Sequence, residues 1–210
     1  MKHIVLLIFY ISIINSANAQ FAENNAIYST VELNLGNYVG ADLSLNYVYK
    51  ETYSLKLGYT GNIRKPISQP SDFSSGFFGA LFMGLLNPYD EMENYQIAAG
   101  KIYKLNDSGT IRMNLSLGVG FTTIREPENW EETGGGFLGN NYSWDYNQYN
   151  TVSLILNPKV EFPFSRVYGL TISPMLQINK DRTYLGIGFG QMLGLLKKKK
   201  QKDNSNNQEN

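Results

Sequence analysis

At 210 residues, the chain has the length of one domain with short appendages. Its 18 Lys and Arg balance 18 Asp and Glu, so no overall field points to nucleic acid or to an acidic partner. It has no Cys and a single His, His3, which excludes disulfides, thiolate chemistry and Cys-based metal sites.

The N-terminus reads as a secretory signal over residues 1–19. Lys2 and His3 form a short basic start, Ile4 to Ile14 is apolar apart from one Ser, and Ala17-Asn18-Ala19 matches a small-x-small cleavage pattern before Gln20. The apolar run falls short of the roughly 20 residues that a spanning helix needs. No Cys follows the cleavage site, which excludes a lipid-anchored lipoprotein. Once the segment is removed, the mature chain holds neither His nor Cys.

After residue 20 no apolar run is long enough for a membrane helix, yet alternation with period two recurs along nearly the whole chain. Val31, Leu33 and Leu35 alternate with Glu32 and Asn34. Val39, Ala41, Leu43, Leu45, Tyr47 and Tyr49 are set against Gly40, Asp42, Ser44 and Asn46. The third run is Tyr53, Leu55, Leu57, Tyr59, and the fourth is Tyr95, Ile97, Ala99, Tyr103. The fifth takes Ile111 to Phe121 and the sixth Val152 to Phe162. The seventh and eighth run from Tyr168 to Ile178 and from Leu185 to Phe189. Eight strands result, most of about nine to thirteen residues, against the roughly 9–11 that a tilted membrane strand needs. Pro158 and Pro174 donate no ladder hydrogen bond, so a bulge or local break is expected at each, most noticeably at Pro174.

Alternation alone does not say which face points inward, because a soluble ligand-binding barrel alternates too. The polar face decides. A water-facing wall is dense in Lys and Glu, whereas here that face is mostly Gly, Ser, Thr and Asn, which fit a narrow lumen. Aromatic residues cluster in two groups, Tyr47, Tyr49, Tyr53, Tyr103, Phe162, Phe164 and Tyr168 near one end and Tyr59, Tyr95 and Phe121 near the other, as interfacial girdles do. The connections after strands two, four and six are short. The long ones, 62–93 and 125–149, follow strands three and five and so emerge on one side. The expected fold is all-β: a closed, up-and-down, antiparallel, transmembrane β-barrel of eight strands over residues 20–196. A disordered basic and polar tail over 197–210 is expected beyond it.

On this pattern the stretch of about 27–193 resembles the small bacterial outer-membrane β-barrels of the OmpA transmembrane-domain type, and the Asn-rich, Tyr-rich composition resembles that of Bacteroidetes proteins. The resemblance implies the outer membrane as location. It also implies membrane lipid, lipopolysaccharide and the outer-membrane assembly machinery as partners. Such barrels end on an aromatic residue, and here Phe189 is instead followed by Gln191-Met192-Leu193 and the basic tail.

The inward face is expected to hold Glu32, Asp42, Lys56, Arg112, Lys159 and Glu161, three of each sign. Charges inside a narrow lumen must pair. Strand parity brings Arg112 against Glu161. Either a salt-bridge plug or an ion path follows, and the plug is the expectation. Enzymatic barrels that rely on Ser–His or Asp–His need an imidazole base, which the mature chain lacks. Ser-only or carboxylate-only hydrolysis stays open, but no strand presents paired carboxylates beside a nucleophile. A non-enzymatic protein without cofactor or metal is expected.

The first long loop carries an apolar segment with Phe77, Phe78 and Phe82, suited to a short helix that dips into lipid, covers the barrel mouth or docks a partner. The second carries Trp130, Trp144 and Tyr146 among several Glu residues and is expected to be a mobile surface loop with no metal-loop spacing. The expected role is structural or adhesive, through both loops and an unidentified surface ligand, with no nucleic acid. Transport of a small solute or hydrophobic compound is the alternative.

Overall fold

The computed structural model describes residues 25–82, 87–134 and 137–196. The expected signal segment and basic tail lie outside these residues. Eight strands follow in order: β1 Ala26–Gly36, β2 Val39–Tyr49, β3 Tyr53–Arg64, β4 Asp90–Lys104, β5 Arg112–Glu132, β6 Tyr142–Phe162, β7 Tyr168–Ile178 and β8 Thr183–Leu195. A short helix, α1 Gly76–Leu81, lies between β3 and β4. Each strand pairs antiparallel with the next and β8 returns to β1, so the sheet closes. The chain is an eight-stranded up-and-down β-barrel.

The register fixes its shape. A row of paired residues starting at Phe162 passes through Leu170, Gln191, Val31, Leu43, Tyr59, Tyr95 and Phe121. It returns to β6 at Val152, ten residues from where it began. With about 3.3 Å per residue and 4.8 Å between strands, that stagger tilts the strands by about 40° and gives each residue about 2.5 Å of axial rise. Val39 to Tyr49, whose outward side chains are all apolar or aromatic, therefore spans about 25 Å, the height of a transmembrane barrel's apolar band.

Apolar side chains point away from the axis, as at Leu33, 67 % exposed, and Leu117, 56 % exposed. Their neighbours Glu32 and Ser116, 2 % and 7 % exposed, point inward. Glycine on the inner face of β8 is what lets charged side chains cross the lumen. A Cβ on Gly190 would meet the Val31 carbonyl oxygen at 2.2 Å and Glu32 Cγ at 2.5 Å.

Two expectations need correction. Residues 125–149 do not form a mobile loop, since β5 continues to Glu132 and β6 begins at Tyr142, leaving 133–141 as the connection. Beyond the apolar belt the alternation fades along β5, while in β6 Tyr142, Trp144 and Tyr146 still alternate with Ser143, Asp145 and Asn147, and the ladder persists to Glu132↔Tyr142. The first long loop is likewise shorter, 65–89, because β3 ends at Arg64 and β4 starts at Asp90.

At the prolines the expected local break is found, as one interruption shared by both rather than a bulge at each. Pro158 and Pro174 would face one another across the β6–β7 seam. The ladder there runs Leu156↔Leu176 and resumes at Val160↔Ile172 in unchanged register. Two missing donors at one site interrupt one stretch of the seam, while Leu115↔Pro158 and Pro174↔Ile187 keep the outer neighbours paired. Asn157 Nδ2 donates to the Pro174 carbonyl at 3.0 Å and closes part of the gap. The one register shift in the described ladders lies elsewhere, between Glu128 and Glu131.

Candidate functional site: a sealed lumen and a braced platform

The lumen is layered. At the end with the short turns, Ala26, Tyr28, Val48, Ile102, Met192 and Leu196 form an apolar plug. At the loop end a second plug contains Tyr38, Met92, Ile124, Ile155, Met175 and Tyr184, with Tyr38 and Tyr184 in edge contact at 6.4 Å.

All six charges expected inside point into the lumen, Arg112 and Glu161 at the turn-end plug against Tyr28 and Leu196, and Glu32, Asp42, Lys56 and Lys159 between the plugs. Arg112 Nε donates to Glu161 Oε2 at 2.5 Å, and Glu161 also accepts from Tyr28 Oη at 2.7 Å. Lys159 Nζ lies 2.7 Å from Glu32 Oε1, a contact close in distance but poorly directed as a hydrogen bond. Thr171 and Ser173 hydroxyls donate to the same Glu32 carboxylate at 2.7 and 2.6 Å. Lys56 Nζ donates to Asp42 Oδ2 at 3.1 Å, which also accepts from Thr60 and Gln96. Each carboxylate thus has a cation and hydroxyl or amide donors, the arrangement that makes buried ions tolerable. Glu32 and Lys159 come from strands far apart around the ring and meet across the lumen, which strand parity does not reveal.

Above the loop-end plug the rim is ionic. Arg64 Nε bonds Asp90 Oδ2 at 2.9 Å, and Arg182 Nε bonds Glu126 Oε1 at 2.7 Å. Burial alone would lower the Arg182 pKa, but the hydrogen bond and charge of Glu126 outweigh it and hold the guanidinium above its ordinary value.

β4 stops pairing with β5 at Glu91↔Arg125, and β7 first meets β6 at Leu154↔Ile178. The β5–β6 hairpin therefore stands beyond the ring. The 65–89 connection braces it. Trp130 packs 5.6 Å from Phe73 and 5.5 Å from Trp144, and its indole donates to Ser68 Oγ. Tyr142 donates to Asp72, and Ser74 N–H donates to Asn141 Oδ1. Helix α1 lies against the hairpin tip, with Phe77 stacked on Phe137 and the Phe77 amide bonded to the Phe137 carbonyl. Phe78 packs on Phe77, while Phe82 is half-exposed. Tyr146 lies under the Arg125 guanidinium at 3.7 Å. Of the expected loop residues, Trp130 and Trp144 thus form an internal aromatic cluster, and the Phe side chains offer the more open surface. The sequence reading missed Phe73, Phe137 and Asp72, which complete the brace.

Net neutrality hides a polarised molecule. At the loop end, Arg64, Lys65, Arg125, Lys180 and Arg182 face ten carboxylates: Asp72, Asp90, Glu91, Glu93, Glu126, Glu128, Glu131, Glu132, Asp145 and Asp181. At the turn end the order reverses, with Lys50, Lys101, Lys104 and Arg166 against Glu51 and Asp107. Glu128 pairs directly with Asp145 across the hairpin ladder, a like-charge contact that costs stability. Among the described residues no group of His, Cys, Asp and Glu is placed to hold a metal, and no helix is long and apolar enough to cross a membrane.

No protein-family model and no curated protein matches the chain. Several solved structures are similar to it in fold. The attachment invasion locus protein Ail of Yersinia pestis is 11% identical, over 82% of this chain and 96% of its own, with a TM-score of 0.45. The N-terminal β-barrel domain of Pseudomonas aeruginosa OprF is 9% identical over 82% and 98%, with a TM-score of 0.49. Neisserial surface protein A is 12% identical over 80% and 94%, with a TM-score of 0.44.

Proposed function

We propose that the chain is a non-enzymatic outer-membrane barrel that serves as a rigid base for an adhesive or structural platform at the cell surface. The apolar belt supports the membrane placement, because the outward face is predominantly apolar and aromatic, interrupted at Ser29, Lys101 and Gln191, and spans about 25 Å on β2, the height of a transmembrane barrel's outward band. Long connections face the exterior in such barrels, so the braced hairpin is the surface element and the turn end faces the periplasm. Assembly-machinery contacts and a cleaved signal belong to the same reading.

The observation that carries the choice of role is the sealed lumen. Two apolar plugs and three ion pairs leave Glu32, Asp42 and Lys159 at no more than 3 % exposure, so bulk water does not reach them. That opposes the transport alternative. The acidic excess at the loop end makes the platform selective for partners that present cationic groups, by electrostatic complementarity.

Two measurements test this. Purified protein in planar bilayers shows no steady conductance, and cells displaying it bind surfaces coated with cationic protein, in a manner lost when 65–89 and 128–145 are replaced by short turns. A stable open pore, or binding indifferent to that replacement, contradicts the reading.

A further inference from the structure

We propose that the open edge of β6 is a docking site for an extended peptide segment with Lys or Arg at alternate positions, taken up as an added strand. This rests on the cationic selectivity of the platform given above and names how such a partner is held. The edge follows from the register. β6 begins at Tyr142, but β7 pairs with it only from Leu154↔Ile178 downward. Above that seam β6 has β5 on one side and no strand on the other. The Thr133 amide donates to the Asn141 carbonyl, so Asn141 turns toward β5. By the alternation of an antiparallel strand, Ser143, Asp145, Asn147 and Tyr149 turn their backbone groups the same way. Tyr142, Trp144, Tyr146, Gln148 and Asn150 turn theirs to the open side. The register shift between Glu128 and Glu131 adds its extra residue to β5, so the alternation of β6 runs through it unbroken. None of these open-side amides and carbonyls has a partner among the described residues. The 65–89 connection covers β5 and the hairpin tip instead, with Ser68 Oγ on the Pro127 carbonyl and Ser74 bonded to Asn141. From Tyr142 to Asn150 the bare edge is about 30 Å long at about 3.3 Å per residue, room for a strand of ordinary length. An edge of this kind pairs readily with another extended chain.

Charge selects the occupant. Glu126, Glu128 and Glu131 pair with Asn147, Asp145 and Ser143, which sets Asp145 and the three Glu carboxylates on one face of the hairpin. Among the described residues their ion-pair partner is Arg182, taken up by Glu126. Glu128 stands directly against Asp145, a contact that costs stability in the free protein. Because the Asp145 backbone turns to β5, a strand added on the open side meets it at a position where Cα atoms lie about 4.5 Å apart. A Lys or Arg placed there offsets the like-charge contact. On the other face, where Trp144 packs on Phe73 and Tyr146 lies under Arg125, the intervening positions of the added strand favour apolar side chains. A second copy of this chain is a poor occupant, since two such edges bring carboxylates of like sign together.

The probe is a dye-labelled peptide of alternating Lys and Val, read by fluorescence anisotropy against the protein in phosphatidylcholine vesicles, which carry no net charge. A peptide of alternating Lys and Pro keeps the charge but lacks every second amide donor, so it does not add as a strand. The Lys-Val peptide is expected to bind at least about tenfold more tightly than the Lys-Pro peptide. Gln148→Pro removes one open-side donor and leaves the β5 ladder intact, since proline is tolerated on an edge, and is expected to weaken the Lys-Val peptide by about tenfold. Asp145→Lys is expected to weaken it similarly and to gain binding of a peptide of alternating Glu and Val. Unchanged heat-modifiable mobility and unchanged proteolysis within 65–89 show that both variants keep the barrel and the brace. Equal binding of the Lys-Val and Lys-Pro peptides overturns the edge proposal while the cationic selectivity of the platform stands. Indifference to Gln148→Pro, or peptide-free dimers that Gln148→Pro dissolves, also overturns it. Binding of neither peptide overturns it and contradicts the cationic selectivity as well.

Discussion

Glu32→Gln removes one charge from the centre of the lumen and leaves Lys159, 3 % exposed, without its carboxylate. Stranding a buried ion in this way costs about 3–5 kcal/mol, whereas replacing both partners with neutral side chains of similar volume is close to neutral or stabilising. The single variants Glu32→Gln and Lys159→Met are each expected to fall in that range, and the double variant is expected to regain most of the loss. The coupling is then more than about 2 kcal/mol. Urea unfolding in lipid vesicles, followed by Trp fluorescence and by heat-modifiable gel mobility, measures all four species. Additive single effects, with a coupling under about 0.5 kcal/mol, refute the reasoning, since charges that do not feel each other at 2.7 Å are solvated by an open, wet lumen.

Gly190→Ala places a methyl against the Val31 carbonyl oxygen and is expected to lower stability in the same unfolding assay by about 1–3 kcal/mol. Asn157→Ala removes the donor to the Pro174 carbonyl and is expected to cost about 1–3 kcal/mol, with hydrogen exchange accelerated at the β6–β7 seam before other seams. Trp130→Ala loosens the brace while leaving the ring intact. Limited proteolysis within 65–89 is expected to quicken by about 5–30-fold, for a local loss of one to two kcal/mol, with heat-modifiable mobility unchanged.

How much of this was legible depended on where each residue sits relative to the belt. β2 was readable to the residue and β3 over its first part, because lipid on one face and a narrow lumen on the other impose strict alternation from Val39 to Tyr49 and from Tyr53 to Tyr59, whereas the last part of β3 to Arg64 was read as loop. The outer parts of β5 and β6 were not, since the Glu-rich run of β5 from Arg125 to Glu132 has no period, and the aromatic–polar alternation of Tyr142, Trp144 and Tyr146 faces the 65–89 connection rather than the belt. The inward charges were visible from parity, as was the meeting of Arg112 and Glu161 on adjacent strands. Glu32 with Lys159 was hidden because the contact crosses the ring rather than following a ladder. The partnership of Phe73 with Trp130 was hidden for a similar reason, since packing between a connection and a hairpin leaves no periodic trace.

The claim beneath all of this is that apolar side chains face lipid and small polar ones face a closed lumen. The chain has no Cys, so single cysteines can be placed from Ala41 to Tyr49 along β2, spin-labelled in vesicles, and scanned for collisions with oxygen and with a water-soluble nickel chelate. The prediction is a strict period of two, with Leu43, Leu45 and Tyr47 high for oxygen and low for nickel, and Asp42, Ser44 and Asn46 low for both. Nickel-accessible Ser44 together with oxygen-shielded Leu43 and Leu45 would contradict it, because that pattern belongs to a soluble barrel turned apolar side in.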